Sequence, residues 1–423
     1  MTSSEEIARR FAEKRPGFVV VSFAEVGLPY YRVRLRAQVL ERKPVPPMEE
    51  IVLLAIEREL SQREVIRNLL GLDPPLFEGV LAELLRKEYI VLGPSSENDL
   101  ALTELGAKVF EDSREIRPTD LGLEVHFDAL TRKAVPSVAG LVDARRMDSI
   151  GLREVPPARP RPPELADLDP EAVQRISMRY PGPGGATADL LALKRIDRRN
   201  RVFRPATILV YRGEERKEAQ VAFVVDEEIS AEHGIAFSDA RLTTKMGVRA
   251  SAMEDPIELF TQIFERGYDG PEPDRLACFD LPAQLDSALG EPRGRVLIVS
   301  PRVTPEIVAP DFRDSLRRRL VEGAQVFIGV GPARGNPKAA ELDQQAMRPL
   351  EELYRRFNNF QLRRFPRPGP ALLAVDSEWA ILTRFNWLGY EGDLERTYLD
   401  ERGLPLRTSR LVDELFERQV QRF

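Results

Sequence analysis

The chain has 423 residues and 43% hydrophobic content, which suits about two to three domains with cores of their own. A net charge of −6 excludes a polycation that coats nucleic acid, so any phosphate contact must come from local patches. One cysteine, Cys278, excludes an intramolecular disulfide and a multi-cysteine zinc site, and two histidines, His126 and His233, limit histidine chemistry to those positions.

Residues 1–47 open with a short helical pattern, Glu5 to Lys14. They continue into FVVVSFAEV and YYRVRLRAQVLER, whose β-branched and aromatic residues read as strands. The start, MTSSEEIARRFAEKR, is charged from its fifth residue and lacks the apolar stretch of a signal peptide. With no apolar run of about 18 residues, no membrane span is expected and the cytoplasm is the expected location.

Residues 48–112 predict three helices, a hairpin and a closing helix. MEEIVLLAIEREL sets Ile51, Leu54, Ala55 and Ile56 among charges. Ser61 with Glu64 predicts a capping box opening SQREVIRNLLG, which Gly71 stops. Pro74 and Pro75 suit the first turn of a third helix carrying the stripe Leu76, Val80, Leu81, Leu84 and Leu85. YIVLGPSSENDLALT reads as a hairpin with a polar tip, and Thr103 caps TELGAKVFED. This order, with its "LTELG" helix, resembles the winged-helix modules of bacterial transcription regulators. The segment holds 14 acidic and 6 basic residues, a balance of 6 − 14 = −8. DNA readers have the opposite bias, so the expectation is protein contact or dimerisation.

Residues 113–185 read as a connector with a proline-rich linker, VPPARPRPP, and a break at PGPGG. Residues 186–290 read as a β-rich middle domain, with two strands in RPATILVYRGEERKEAQVAFVVDEE followed by helices. The basic run KRIDRRNRVFR precedes those strands. Lys194, Arg198, Arg199 and Arg201 in it are candidates for nucleic acid or an acidic protein surface, beside the alternative of a charged connector.

Residues 294–423 show an α/β rhythm: strands RVLIVS, AQVFIGVG and FQLRRF alternate with helices DFRDSLRRRLVEG, capped by Asp311, and Lys338 to Phe357. ALLAVDSEWAILTRF reads as a hairpin turning at Asp376-Ser377-Glu378. The stretch GPALLAVDSEWAILTRFNWLG, 369–389, resembles the signature of the phospholipase D superfamily, in which H-x-K precedes four residues and an Asp, and a small-residue turn ends in Asn. Asp376 and Asn386 fall at matching spacing, and Glu401 stands where an acidic residue follows the motif. The resemblance covers about the last 130 residues. It implies a half-unit whose histidine attacks phosphorus while lysine and asparagine hold phosphate oxygens. Gly369 and Ala371 stand where that histidine and lysine belong, and neither side chain performs those steps.

The expectation is therefore an α+β multi-domain chain: winged helix, β-rich middle, phospholipase D-like end. It would serve as a non-catalytic, nucleic-acid-binding or adaptor subunit of a bacterial complex, in anti-phage defence or DNA processing. Asp376, Asn386 and Glu401 would form a relic phosphate site, ringed by Arg355, Arg356, Arg363, Arg364 and Arg384 with Trp379 and Trp387 interleaved. The expected partners are proteins, DNA or RNA, and a second copy of the chain; no cofactor or metal is expected. The alternatives are a nuclease active as a dimer or with a partner, and a winged-helix regulator. Two weaker signals are the E-x-K at Glu215-Arg216-Lys217 and the glycines Gly329, Gly331 and Gly335 after a strand.

Overall fold

A 27-residue strand dominates the first half of the chain. The computed structural model describes residues 3–93, 98–112, 114–177, 187–213, 218–243, 245–248, 256–268, 270, 274–367, 369–390 and 396–423. Helix α1 (Ser4–Phe11) is fixed by a capping box between Ser3 and Glu6 and leads into β1 (Phe18–Pro44). A compact unit follows: α2 (Pro47–Glu57), α3 (Arg63–Leu70), α4 (Pro74–Arg86), the hairpin β2 (Ile90–Leu92) and β3 (Leu100–Leu102), and α5 (Glu104–Asp112). Its core joins Val52, Ile56, Ile66, Phe77, Leu81, Leu84 and Val109, the inward stripes of the helices. The Thr103 hydroxyl accepts the Gly106 N–H at 2.9 Å, capping α5. Ser61 does not cap α3: Gln62 holds the N-cap position, and Ser61 instead lends its carbonyl to Leu100 N–H. Gly71 ends α3 in the left-handed region, φ 63°.

The chain returns along β4 (Arg114–Asp128), β5 (Lys133–Val135), α6 (Ala144–Ser149), β6 (Arg153–Glu154) and α7 (Pro170–Ser177). It then runs through β7 (Thr187–Gly213), β8 (Ala219–Val225), β9 (Glu228–Ser230) and α8 (Ala231–Asp239). These strands make one sheet in the order β5-β4-β1-β7-β8-β9, with β6 parallel to β1. The divisions expected at 47, 113 and 186 thus separate segments that the structure pairs, since β1 lies antiparallel to both β4 and β7 along most of its length. The basic run does not precede the strand; it is part of β7. VPPARPRPP packs on the sheet, with Val155 N–H donating to Gly27 and Ala158 N–H to Ala129. Beyond Tyr31, β1 continues with β4 and β7 as a three-stranded ribbon, and the α2–α5 unit is inserted at its far end, between β1 and β4.

The second half builds a mixed sheet, β12-β11-β10-β13-β14-β15. Its elements are α9 (Pro256–Phe264), α10 (Leu281–Gly290), β10 (Arg295–Ser300), α11 (Pro310–Val321), β11 (Gln325–Val330) and α12 (Pro337–Arg356). β12 (Phe360–Arg364), β13 (Ala371–Val375), β14 (Trp379–Thr383), β15 (Leu404–Leu406) and α13 (Ser409–Val420) complete it. β10, β11 and β12 are parallel, and β13 runs antiparallel to β10. The central strands are buried on both faces: one packs on α10, α11 and α12, the other on α9 and α13. α9 and α10 thus pack with the C-terminal sheet, whereas Cys278 and Phe279 between them pack on α1, β1, β7 and β8 of the first sheet. Each buried leucine of α12, such as Leu350, contributes about 1.5–3 kcal/mol. Asp311 lies in the first turn of α11, whose N-cap is Ala309. No described helix is long and apolar enough to cross a membrane.

Candidate nucleic-acid interface

The C-terminal sheet has two ends, and the expected relic site divides between them. Ser300, Arg364, Gly369, Ala371, Arg384 and Asn386 lie at the carboxyl end of the parallel strands. Asp376 lies at the other end, in the turn after β13, about 17–20 Å away across the six residues of β10. There it adopts φ 51° and its Oδ1 accepts the Gly294 and Arg295 N–H groups at 2.9 and 2.8 Å, tying the hairpin to the start of β10. Arg355 and Arg356, in the last turn of α12, also sit at the amino end. Asp376 therefore does not join Asn386 in one site.

Asn386 Oδ1 accepts from Ser300 Oγ and Arg302 N–H, both at 2.8 Å. The backbone N–H can only donate, which fixes the amide orientation and leaves Nδ2, buried and without a hydrogen-bond partner, against Gly389. A Cβ on Gly369 would stand 3.3 Å from Arg422 Nη1, whose guanidinium lies over the Phe365 ring at 4.0 Å. An imidazole in that position must displace Arg422, a residue that sequence spacing did not single out. Arg363 bonds the Phe423 carbonyl and Arg364 the Gly331 carbonyl at 3.3 Å. Trp387 is fully buried, edge-to-face with Phe385, so it cannot stack a base; Trp379 is half-buried.

Glu401 is a joint between the two sheets. Its backbone N–H donates to Val21 of β1, and its Oε2 accepts from Ser22 Oγ at 2.8 Å and Arg396 Nη2 at 2.5 Å. Burial pushes its carboxyl above the ordinary value, and Arg396 and Ser22 oppose that shift. Beside it Asp400, fully buried, receives Arg212 at 2.6 Å and Arg402 at 2.7 Å. These carboxylates are occupied within the protein, and Glu401 does not face a phosphate site.

The larger concentration of cations is on the ribbon. Along β1, Tyr31, Val33, Leu35, Ala37 and Val39 point to one face, where Phe127, Leu168 and Val173 cover them. Arg32, Arg34 and Arg36 point to the opposite, open face. Directly opposite Arg34 and Arg36 on β7 stand Arg198 and Arg195, which share that face. Asp197 is the extra residue of a bulge there. Five arginines thus meet two carboxylates: Glu124 pairs with Arg32 and Arg34 at 3.7 and 3.0 Å, and Asp197 with Arg36 and Arg195 at 3.4 and 2.8 Å. Further along the same face Asp189 pairs with Arg42 and Asp120 with Lys194, so the balance is 7 − 4 = +3. The basic run splits accordingly. Lys194, a second bulge residue, pairs with Asp120; Arg199 reaches the Pro163 carbonyl and Arg201 the Glu154 carboxylate. Arg32, Arg34 and Arg36 escaped sequence reading because their role depends on pairing with a strand some 160 residues away.

Gly329 and Gly331 are packing residues: a Cβ would meet the Phe365 ring at 2.2 Å and the Pro301 carbonyl at 2.3 Å. Glu215-Arg216-Lys217 and PGPGG lie outside the described residues.

No family model matches the chain, and no curated protein matches it. Among solved structures, Nuc from Salmonella typhimurium, a phospholipase D family member, is 19% identical over 33% of this chain and 84% of its own, with a TM-score of 0.26. NucT from Helicobacter pylori is 14% identical over 34% and 87%, TM-score 0.25. TrmBL2, an archaeal chromatin protein described with a novel mode of DNA binding, is 13% identical over 45% and 66%, TM-score 0.26. At such scores the likeness is partial and says nothing of activity.

Proposed function

We propose that the chain is a nucleic-acid-binding subunit, inactive at its phospholipase D-like site, that grips the phosphate backbone through the open face of the ribbon. The observation that carries this reading is the set of Arg32, Arg34, Arg36, Arg195 and Arg198 on one face against two carboxylates. Exposed ion pairs of this kind contribute about 0–1 kcal/mol each, so Glu124 and Asp197 release their arginines to a phosphate at small cost.

In this reading residues 294–423 are a phospholipase D-like half-unit whose histidine and lysine are replaced by Gly369 and Ala371. Residues 48–112 are a winged helix used for protein contact. Its third helix is poorly suited to DNA: Lys87 is buried against Glu49 at 2.8 Å, and Arg86 pairs with Glu83 at 2.6 Å. Exposed Ile51, Leu54, Leu69, Leu76, Leu92 and Leu105 favour a protein partner for the adaptor role, a second copy included. Anti-phage defence or DNA processing is the setting proposed for that complex.

Titration of labelled single- and double-stranded DNA and RNA at 50 and 200 mM salt, with cleavage followed on gels, tests the reading. Salt-sensitive binding without cleavage is expected. In R34E/R198E the slope of log K against log salt should fall by about 2, one for each lost phosphate contact. An unchanged affinity and slope would refute the ribbon as the interface.

A further inference from the structure

We propose that Ser230, His233 and Asp128 form a second, hydrolytic site that cleaves small carboxylic esters. The three come from separate elements: Asp128 ends β4, Ser230 ends β9, and His233 lies in the first turn of α8. His233 Nε2 stands 2.8 Å from Asp128 Oδ2, and Ser230 Oγ 2.6 Å from His233 Nδ1. Asp128 Oδ1 accepts the Leu130 and Thr131 N–H groups at 2.8 and 3.0 Å, which locks the carboxylate in place. Burial alone would raise the Asp128 carboxyl, but the His233 and backbone hydrogen bonds outweigh it and hold the group below its ordinary value. A carboxylate only accepts, so Nε2 carries the ring proton and the Nδ1 lone pair faces the serine hydroxyl.

This is the order of roles in a serine hydrolase, with the two ring nitrogens exchanged: acid to ring N–H, bare nitrogen to hydroxyl. Ser230 occupies the N-cap of α8, where a serine hydroxyl ordinarily accepts a first-turn N–H; here it makes no such bond and is held by His233 instead. The first turn of α8 therefore sets backbone donors beside the nucleophile without engaging its oxygen, as an oxyanion requires. All three side chains open on a cleft of about 630 Å³ whose wall includes Val135, Pro136, Val138 and Ile229. Arg204, also on that wall, is neutralised by Asp226 at 2.5 Å. Glu228 and Glu232 line the cleft as well, so it is of mixed polarity, and the patch of Val135, Pro136, Val138 and Ile229 is the part that suits a short acyl chain.

In the reaction Ser230 Oγ attacks the ester carbonyl carbon while its proton passes to His233 Nδ1. The tetrahedral adduct collapses, the C–O bond to the alcohol breaks, and the departing oxygen takes that proton. Water then attacks the acyl carbon while giving a proton to Nδ1; the bond from that carbon to Ser230 Oγ breaks, Oγ takes the proton back from Nδ1, and the carboxylic acid leaves.

The full chain is incubated with 4-nitrophenyl butyrate and, separately, with diisopropyl fluorophosphate, and adducts are located by peptide mass spectrometry. The expected result is turnover above buffer, lost in Ser230→Ala, and an adduct on Ser230 that disappears in His233→Asn. Asp128→Asn should slow turnover by about 10²-fold or more, within the usual range of general-base assistance. Absence of a Ser230 adduct on the wild-type chain with its native melting transition, or equal turnover in wild type and Ser230→Ala, overturns the proposal. The wild-type adduct keeps the test decisive if a variant fails to fold.

Discussion

Replacing Arg396 with methionine tests whether Glu401 is a joint of the fold. Arg396 is 8% and Glu401 3% exposed, so the substitution leaves a carboxylate buried beside Asp400 with Ser22 Oγ as its remaining side-chain donor. Removing one partner of a buried ion pair costs about 3–5 kcal/mol, because the other charge stays desolvated. The cost depends on pH in a definite direction. An acid whose folded pKa lies above its unfolded value destabilises the fold once pH exceeds the folded pKa, and that penalty fades as pH falls to the unfolded value near 4.5. Loss of Arg396 lifts the Glu401 pKa further. The gap in unfolding free energy between wild type and Arg396→Met should therefore be about 3 kcal/mol or more at pH 8 and clearly smaller at pH 5.5. Urea titration followed by the fluorescence of buried Trp387 measures it. Glu401→Gln in the same background should recover much of the loss. A gap below about 1 kcal/mol, or one equal at both pH values, would refute the reasoning.

Two other substitution pairs separate features that sequence reading treated alike. Thr103→Ala should lower stability by about 1 kcal/mol through the lost α5 cap, whereas Ser61→Ala should change it by less than about 0.5 kcal/mol; thermal melts compare them. Gly331→Ala forces a Cβ to within 2.3 Å of the Pro301 carbonyl and should cost about 1–3 kcal/mol, while Gly335→Ala, with nothing within 4 Å, should be tolerated.

Local pattern carried a good part of the architecture. The helices of 48–112 announce themselves by apolar spacing and by Gly71, Pro74 and Pro75, and the hairpin of β13 and β14 by its turn at Asp376-Ser377-Glu378. Pairing between distant strands left no such trace. That β1 lies beside β7, and that Arg34 stands opposite Arg198, follows from a register set by burial of Tyr31, Val33 and Leu35 on the other face. The same limit hid the Ser230, His233 and Asp128 group, whose aspartate lies 233 − 128 = 105 residues from its histidine. Asp376 matched its motif spacing, yet spacing along a strand does not say which end of the sheet a residue reaches.

The ribbon also works as a ruler. Pro44 and Arg114 face each other where β1 and β4 meet the inserted α2–α5 unit, so that head is held by two adjacent strands rather than by a single tether. From Tyr31 to Pro44 the stalk spans about 45 Å at ~3.3 Å per residue. Removing two residues from each of its three strands would shorten it by about 7 Å while preserving which face every side chain occupies. Removing the head and closing β1 onto β4 with a tight turn would leave a plain hairpin. The distance between head and body is thus an adjustable length.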